Sequence, residues 1–484
     1  MPPKAKRKSL EPWLFDSIEF FQHQVDGVRE LSRRRSFILA DDMGLGKSLE
    51  ALTVFAVDVI RGWAETAIVI APPTLKGNWA DEIKKFTRFP YFILDSTDNF
   101  ERTKTLARYM IQRGPKILIV GYEQAGIHGY ELEGLSFDVA IYDEAHYIKS
   151  PMSKRTKAVL GIKSRRSFML TGTPLENRVD EIWCLLHRVD PDRYGNYYGF
   201  INRHAKFGGF NGRQITGVQN ERELVKKVQE VMLRRLKKDV LDLPEVQIIP
   251  RRVDLYDEQW KMYQEIAEDL VVNWDTDEND ESEPLEWAFV KTLRLRQLCG
   301  SMNMFTGEDI SAKLDLAIED DRALLENGEK IVVFTQFRHV LDAYEKRAVD
   351  LGVPTFTLSG DVPIADRVPV VKRWSGVTGP AMILNMQQVA NYGLNMTAAR
   401  QVSFLDFHYN PQKNQQGIDR CNRIGQNSTQ PVQVRQYICR KTVEVRVAQL
   451  NAQKQRLFDL VINSSSTAWK AKLRAMLMEE EGDD

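Results

Sequence analysis

Short apolar, β-branched runs alternate along the chain with longer stretches whose apolar residues recur at helical spacing. FILAD (37–41), AIVIAP (67–72), YFILD (91–95), ILIVGY (117–122), VAIYDEAH (139–146) and SFMLTGTP (167–174) read as buried strands. LKGNWADEIKKF (75–86) and NFERTKTLARYMIQR (99–113) read as helices between them. This βαβ rhythm predicts a parallel sheet covered on both faces. It stops near residue 180. Residues 181–310 read as mostly helical, with ERELVKKVQEVMLRRLKKDV (221–240) the clearest case and an acidic loop beginning at residue 275. The rhythm returns with KIVVFTQF (330–337), TFTLSG (355–360), AMILN (381–385), QVSFLDF (401–407) and VQVRQYIC (432–439). Pro369 falls in a predicted helix, 364–374, which is expected to start later or to kink there.

The expected architecture is α/β: two parallel-sheet lobes joined through a helical insertion. The boundaries are a basic tail 1–15, a first lobe 16–180, helical insertions 181–310, a second lobe 311–465 and a tail 466–484. The 484 residues exceed one ordinary core, which agrees with this division.

Composition changes the picture little. Lys+Arg and Asp+Glu each number 67, so global charge gives no sign of a nucleic-acid partner. Local basic clusters stand at 33–35, 163–166 and 234–238 and count only in context. The four cysteines, Cys184, Cys299, Cys421 and Cys439, have no C-x-x-C or zinc spacing, which argues against a metal framework. The apolar runs are too short to span a bilayer, so no membrane partner is expected.

The chemistry begins at DDMGLGKS (41–48). It follows a strand and precedes the helical SLEALTVFAVDVI (48–60), the context a phosphate-binding loop requires. Gly44 and Gly46 let the backbone turn tightly and point its N–H groups inward. Lys47 can neutralise β- and γ-phosphates and Ser48 can coordinate Mg²⁺. The strict pattern has glycine where this chain has Asp41. IYDEAH (141–146) ends a strand in the same lobe. Asp143 is placed as a Mg²⁺-binding carboxylate, and Glu144 as a group that orients or deprotonates water.

With these motifs in order, the sequence resembles the superfamily-two helicases and, within them, the Swi/Snf-type double-stranded DNA translocases, from about residue 18 to about residue 460. The resemblance implies two RecA-like lobes, ATP and Mg²⁺ as cofactors, and Asp41 as an expected member of the loop. FQHQVDGV (21–28) resembles the adenine motif, with Gln24 as reader. PPTLKGNWADEI (72–83), LTGTPLEN (170–177), VMLRRLKKDVLDLP (231–244), LRLRQLCG (293–300) and NPQKNQQGIDRCNRIGQ (410–426) resemble further family blocks. The resemblance implies nucleotide contacts from Leu45, Gly393 and Gln416 as well.

Arg420 and Arg423 lie three apart, so on a helix they share a face and can clamp a γ-phosphate. They belong to the second lobe, so ATP is expected to bridge the lobes, with closure completing the site. VANYGLNM (389–396) keeps Gly393 and Asn395 but lacks two glycines usual in the family. With ADDMGLGK it resembles the annealing-helicase and fork-remodelling branch.

The resemblance implies a grip on the duplex backbone from Thr74, Lys76, Asn78, Trp79, Thr171, Gly172 and Thr173 in the first lobe, and from Gln336, Arg338, Ser359 and Gly360 in the second. Double-stranded DNA without sequence preference is the expected partner, and a monomer the expected state. The core fills nearly the whole chain, which implies a minimal motor of a bacterium or virus, acting in cytoplasm or nucleoid, or in the nucleus of a eukaryote. A strand-separating helicase on single strands and a nucleotide-gated binder without turnover are the competing readings.

Overall fold

The apolar runs sort by parity, one residue to each face of a sheet. A computed structural model describes residues 13–95, 98–127, 131–132, 134–175, 178–208, 214–272, 283–390, 394–423, 425–426 and 430–462. Two units are present: one holds the described residues up to Leu241 together with those from Arg456 on, the other Asp242–Gln455. The helical stretch expected over 181–310 is thus divided between them.

In the first unit the strands are β1 (Ser36–Leu39), β2 (Thr66–Ala71), β3 (Tyr91–Leu94), β4 (Lys116–Gly121), β5 (Ser136–Asp143) and β6 (Lys163–Leu170). A hairpin of β7 (Ala205–Gly208) and β8 (Gln214–Val218) and a short β9 (Met232–Leu233) follow. The large sheet has the order β3-β4-β2-β5-β6-β1-β9, and every pairing in it is parallel. Ile68 and Ile70 of β2 enter one core with Trp183, Leu185 and Leu186; Ala67, Val69 and Ala71 enter the other with Leu52 and Phe55 of the helix Lys47–Ile60. This is why the strand is apolar at every position rather than at alternate ones. Each fully buried Ile or Val contributes about 1.5–3 kcal/mol relative to exposure.

The second unit repeats the plan with β10 (Val246–Val253), β11 (Lys330–Thr335), β12 (Thr355–Leu358), β13 (Ala381–Met386), β14 (Gln401–Phe404) and β15 (Val432–Cys439). Their order is β10-β15-β14-β11-β13-β12, all parallel. Val332 and Phe334 of β11 face one core and Ile331 and Val333 the other. The α/β class and every strand expected from the apolar runs are present.

Three expectations are corrected. The stretch 221–240 is not one helix: Glu221–Val231 is helical, and Met232 and Leu233 then pair with Ile38 and Leu39 of β1. Tertiary pairing overrides the helical pattern there. The helix holding Pro369 runs Ile364–Ser375, so its start is not delayed. Residues 246–253, expected within the helical insertion, form β10. That strand carries Pro250, Arg251 and Arg252 and lies at the sheet edge. Glu245 and Val253 accept from Val432 and Arg440 N–H groups at 2.8 Å, so odd-numbered residues face β15 and Pro250 faces away. The acidic stretch at 275–282 and the tails at 1–12 and 463–484 lie outside the described residues.

Candidate active site

Sheet register brings the two nucleotide motifs together. Leu39 of β1 and Asp143 of β5 both pair with Leu170 of the strand between them. The loop after β1, the acidic end of β5 and Thr171 after β6 therefore sit at one level on the carboxyl edge, where open α/β sheets bind ligands.

The loop from Ala40 to Gly46 leads straight into the helix Lys47–Ile60. Gly44 (φ 83°) and Gly46 (φ 89°) are left-handed, which favours glycine at both positions. A Cβ on Gly46 would overlap the Gln24 amide. Gln24 is buried; it donates to the Leu45 carbonyl at 3.1 Å and accepts the Phe21 N–H at 3.1 Å. Both ends of its amide are thus engaged in bracing the loop. Lys47 donates to the carbonyls of Asp41 (2.8 Å) and Asp42 (3.2 Å). Leu45 is buried and Ser48 half-buried.

Asp41, the departure from the strict pattern, is fully buried and ion-paired with Arg235. Glu50, also fully buried, meets the same guanidinium, and burial pushes its carboxyl up to about 8. The basic cluster at 234–238 is therefore in large part an interior feature. Arg166 of another cluster is likewise buried, against Asp58.

Asp143 ends β5. Its Oδ2 accepts the Trp79 indole N–H at 2.7 Å and its Oδ1 the Glu144 N–H at 3.0 Å. Burial, then the Glu144 charge, push the Asp143 carboxyl up to about 7, against the opposing pull of the Trp79 bond and Lys47. Each Asp143 oxygen keeps a lone pair beyond the bond it accepts, and carboxylate oxygens are the donors a hard cation takes. Ser48 offers a hydroxyl from the helix start, so the donor set fits Mg²⁺. Glu144 adopts φ 46°, ψ 53°, a left-handed conformation unusual for a side-chain-bearing residue and typical of functional turns.

Sequence reasoning missed His146. Its Nδ1 lies 3.3 Å from Thr171 Oγ1, 3.2 Å from Thr173 Oγ1 and 3.4 Å from Glu144 Oε2. One imidazole nitrogen thus joins the acidic motif to the LTGTP loop. The histidine of IYDEAH was the available signal. Thr171, Gly172 and Thr173 are all buried. Lys76 is buried too, donating to Gln124 at 3.1 Å and paired with Asp95. Trp79 is 2% exposed. Of the duplex-contact residues expected in this unit, Asn78 is exposed and Thr74 half-exposed.

In the second unit, Gln336 and Ser359 follow β11 and β12 at the carboxyl edge. Gln336 donates from its side chain to Asp406 at 2.9 Å. Arg338 is exposed, bonded to Asp342 at 2.7 Å and paired with Asp361. Ser359 is buried, Gly360 exposed. Arg420 lies in the helix Pro411–Cys421 and Gln416 is half-buried on it. Arg423 lies beyond that helix, which corrects the shared helical face. Asn422 leaves helical geometry at ψ 83°, its side chain donating to Pro244 O at 3.1 Å. Gly393 lies outside the described residues.

No helix among the described residues is long and apolar enough to cross a membrane. Residues 22–304 match the SNF2-related domain, and residues 314–425 match the helicase conserved C-terminal domain. An uncharacterized ATP-dependent helicase of Mycoplasma genitalium is 29% identical over 449 residues, covering 90% of this chain and 41% of that protein. The ISWI chromatin-remodeling complex ATPase of Saccharomyces cerevisiae is 27% identical over 481 residues, covering 93% and 41%. The chain thus spans about two fifths of these relatives' length. The Sulfolobus solfataricus SWI2/SNF2 ATPase core in complex with dsDNA is 27% identical, with a TM-score of 0.44 and coverage of 94% and 95%. With its first domain matched over more than half the sequence, the chain belongs to the SNF2-related family.

Proposed function

We propose that this chain is a DNA-dependent ATPase that couples ATP hydrolysis to translocation on double-stranded DNA, remodelling DNA structures or protein–DNA complexes without processive unwinding. The observation that carries the reading is the alignment of Leu39, Leu170 and Asp143. It sets Lys47 and Ser48 at a helix start and Asp143 and Glu144 at a strand end of one sheet edge. Lys47 exchanges its two carbonyl partners for β- and γ-phosphate oxygens. Ser48 and Asp143 hold Mg²⁺, which when bound neutralises phosphate charge. Glu144 orients the attacking water. Gln24, Leu45, Gly44 and Gly46 shape the pocket; Arg420, Arg423, Gln416 and Gly393 are the nucleotide-contact residues of the second unit.

Thr74, Asn78, Arg338 and Gly360 meet the duplex backbone. Lys76, Trp79, Thr171, Gly172, Thr173, Gln336 and Ser359 shape the loops that carry those contacts. Backbone contact gives affinity without sequence reading, which suits a chain of zero net charge. The active form is a monomer.

Steady-state ATP hydrolysis with no DNA, single-stranded DNA or duplex DNA tests this, with Lys47→Ala as the blank. Stimulation by duplex, absent in the blank, is the expected result. Stimulation only by single strands or RNA would move the protein to the strand-separating helicases.

A further inference from the structure

The phosphate loop is gripped from beneath by buried charges that the nucleotide chemistry leaves unused. Asp41 opens the loop and Glu50 lies in the first turn of the helix that closes it. Both are fully buried, and both meet Arg235. Arg235 Nε donates to Asp41 at 2.9 Å, and Nη2 reaches the two Glu50 oxygens at 2.8 and 2.9 Å. The Arg235 backbone N–H adds a bond to Asp41 at 2.9 Å, and its Nη1 donates to the His23 carbonyl. Beside it, Arg234 donates to the Ala40 carbonyl and to Asp42, each at 2.5 Å, and the Lys237 N–H donates to Asp42 at 3.0 Å.

The position of this segment along the chain is informative. It follows β9 and ends four residues before Leu241, where the chain leaves the first unit. The chain rejoins the first unit at Arg456, and the Phe458 ring then lies 5.4 Å from the Arg234 guanidinium. Both passages of the chain between units therefore adjoin the residues that grip the loop.

We propose that Arg235 is the positioning residue of the phosphate loop: it clamps the two ends of the loop together and ties them to the segment by which the chain leaves the first unit. The proposal rests on the reading of this loop as an ATP site. Arg235 touches no substrate; it acts on Lys47 and Ser48 through Asp41 and Glu50. Nη2 meets both carboxylates, Asp41 and Glu50, while Nε and Nη1 fix the plane of the fork through Asp41 and the His23 carbonyl. A lysine supplies one point charge without the Nε and Nη1 bonds that orient it. Gly27 obeys the same constraint from the opposite side. A Cβ there would overlap the Glu50 carboxylate and press on Arg235 Nη2.

The test is equilibrium binding of a fluorescent ATP analogue with Mg²⁺ to the full chain, for wild type, Arg235→Lys and Gly27→Ala. Urea unfolding identifies conditions in which each variant is fully folded, and KM and kcat are measured alongside. Both folded variants are expected to bind nucleotide about tenfold more weakly or worse, with KM rising to match and kcat changing less than about threefold. Gly27→Ala reaches the cluster without altering any charge, so it decides the matter if Arg235→Lys does not fold. Folded variants that bind within about twofold of wild type overturn the proposal alone. A wild-type chain that binds no nucleotide overturns the reading of the site, and this proposal with it.

Discussion

Trp79 donates its indole N–H to the Asp143 carboxylate at 2.7 Å, joining a buried aromatic of the helix Lys76–Phe86 to the acidic end of β5. The sequence places Trp79 at the duplex, and the structure gives its indole N–H to a proposed Mg²⁺ ligand, so its contribution to each can be separated. A hydrogen bond to a charged acceptor contributes about 1.5–3 kcal/mol. Trp79→Phe should therefore lower kcat for ATP about tenfold or more, with duplex affinity by fluorescence anisotropy within about twofold of wild type. A loss of duplex affinity with kcat preserved would return Trp79 to the DNA interface.

His146 is the second case. Its Nδ1 faces Thr171, Thr173 and Glu144 together. His146→Ala should leave the KM for ATP within about threefold and abolish most of the duplex stimulation of kcat. Steady-state kinetics with and without duplex reads this directly. Full stimulation in the variant would show that the LTGTP loop communicates by another route.

Asp321 supplies a pH dependence. It is fully buried in the second unit, accepting from Ser403 Oγ at 2.9 Å and from the Tyr344 hydroxyl. Burial raises its carboxyl from 3.8 to about 6. The folded state then binds more protons than the unfolded state between these values, so stability falls as pH rises from about 4 to about 6 and levels off above. The loss attributable to this group is about 3 kcal/mol. In Asp321→Asn the amide can accept from Tyr344 and donate to Ser403, so chemical denaturation of this variant should lose that slope. An unchanged slope would assign the pH dependence elsewhere.

Lys313 and Glu444 form a fully buried pair at 2.5 Å. Cys299, Cys439 and Glu444 gather their ligand atoms within 4.8 Å of one another, and the Lys313 ammonium supplies the positive charge at that cluster. Lys313→Met should destabilise the protein by about 3–5 kcal/mol, because it strands a buried carboxylate. Adding Glu444→Gln should recover part of the loss in urea unfolding. Strict additivity of the two changes would argue against a coupled pair.

The strands were legible because burial on both faces demands unbroken apolar runs, and in Phe37–Leu39 and Ile331–Phe334 such runs are short and, in the second, rich in β-branched residues. β10 was not legible: its outer residues meet no core, so Pro250, Arg251 and Arg252 look like loop. At the site, Lys47, Ser48, Asp143 and Glu144 were readable from spacing because backbone geometry alone carries them to the sheet edge. The inward placement of Trp79, Lys76 and Thr171 was not, since whether a loop residue faces in or out is set by partners distant in sequence, such as Asp143, Gln124 and His146. The arginines at 234–235 show the same limit. The sequence left this basic cluster open to context, and its carboxylate partners lie some 190 positions away along the chain.

Pro250 has a consequence for how molecules behave in a crowd. With odd-numbered residues of β10 turned to β15, the outer rim lacks an N–H at position 250, and the arginines at 251 and 252 follow it directly. A strand from another molecule docking on that rim would find its hydrogen-bond ladder broken midway, with the exposed Arg252 beside the break and Arg251 already paired with Asp320. Such a break works against sheet growth from this side.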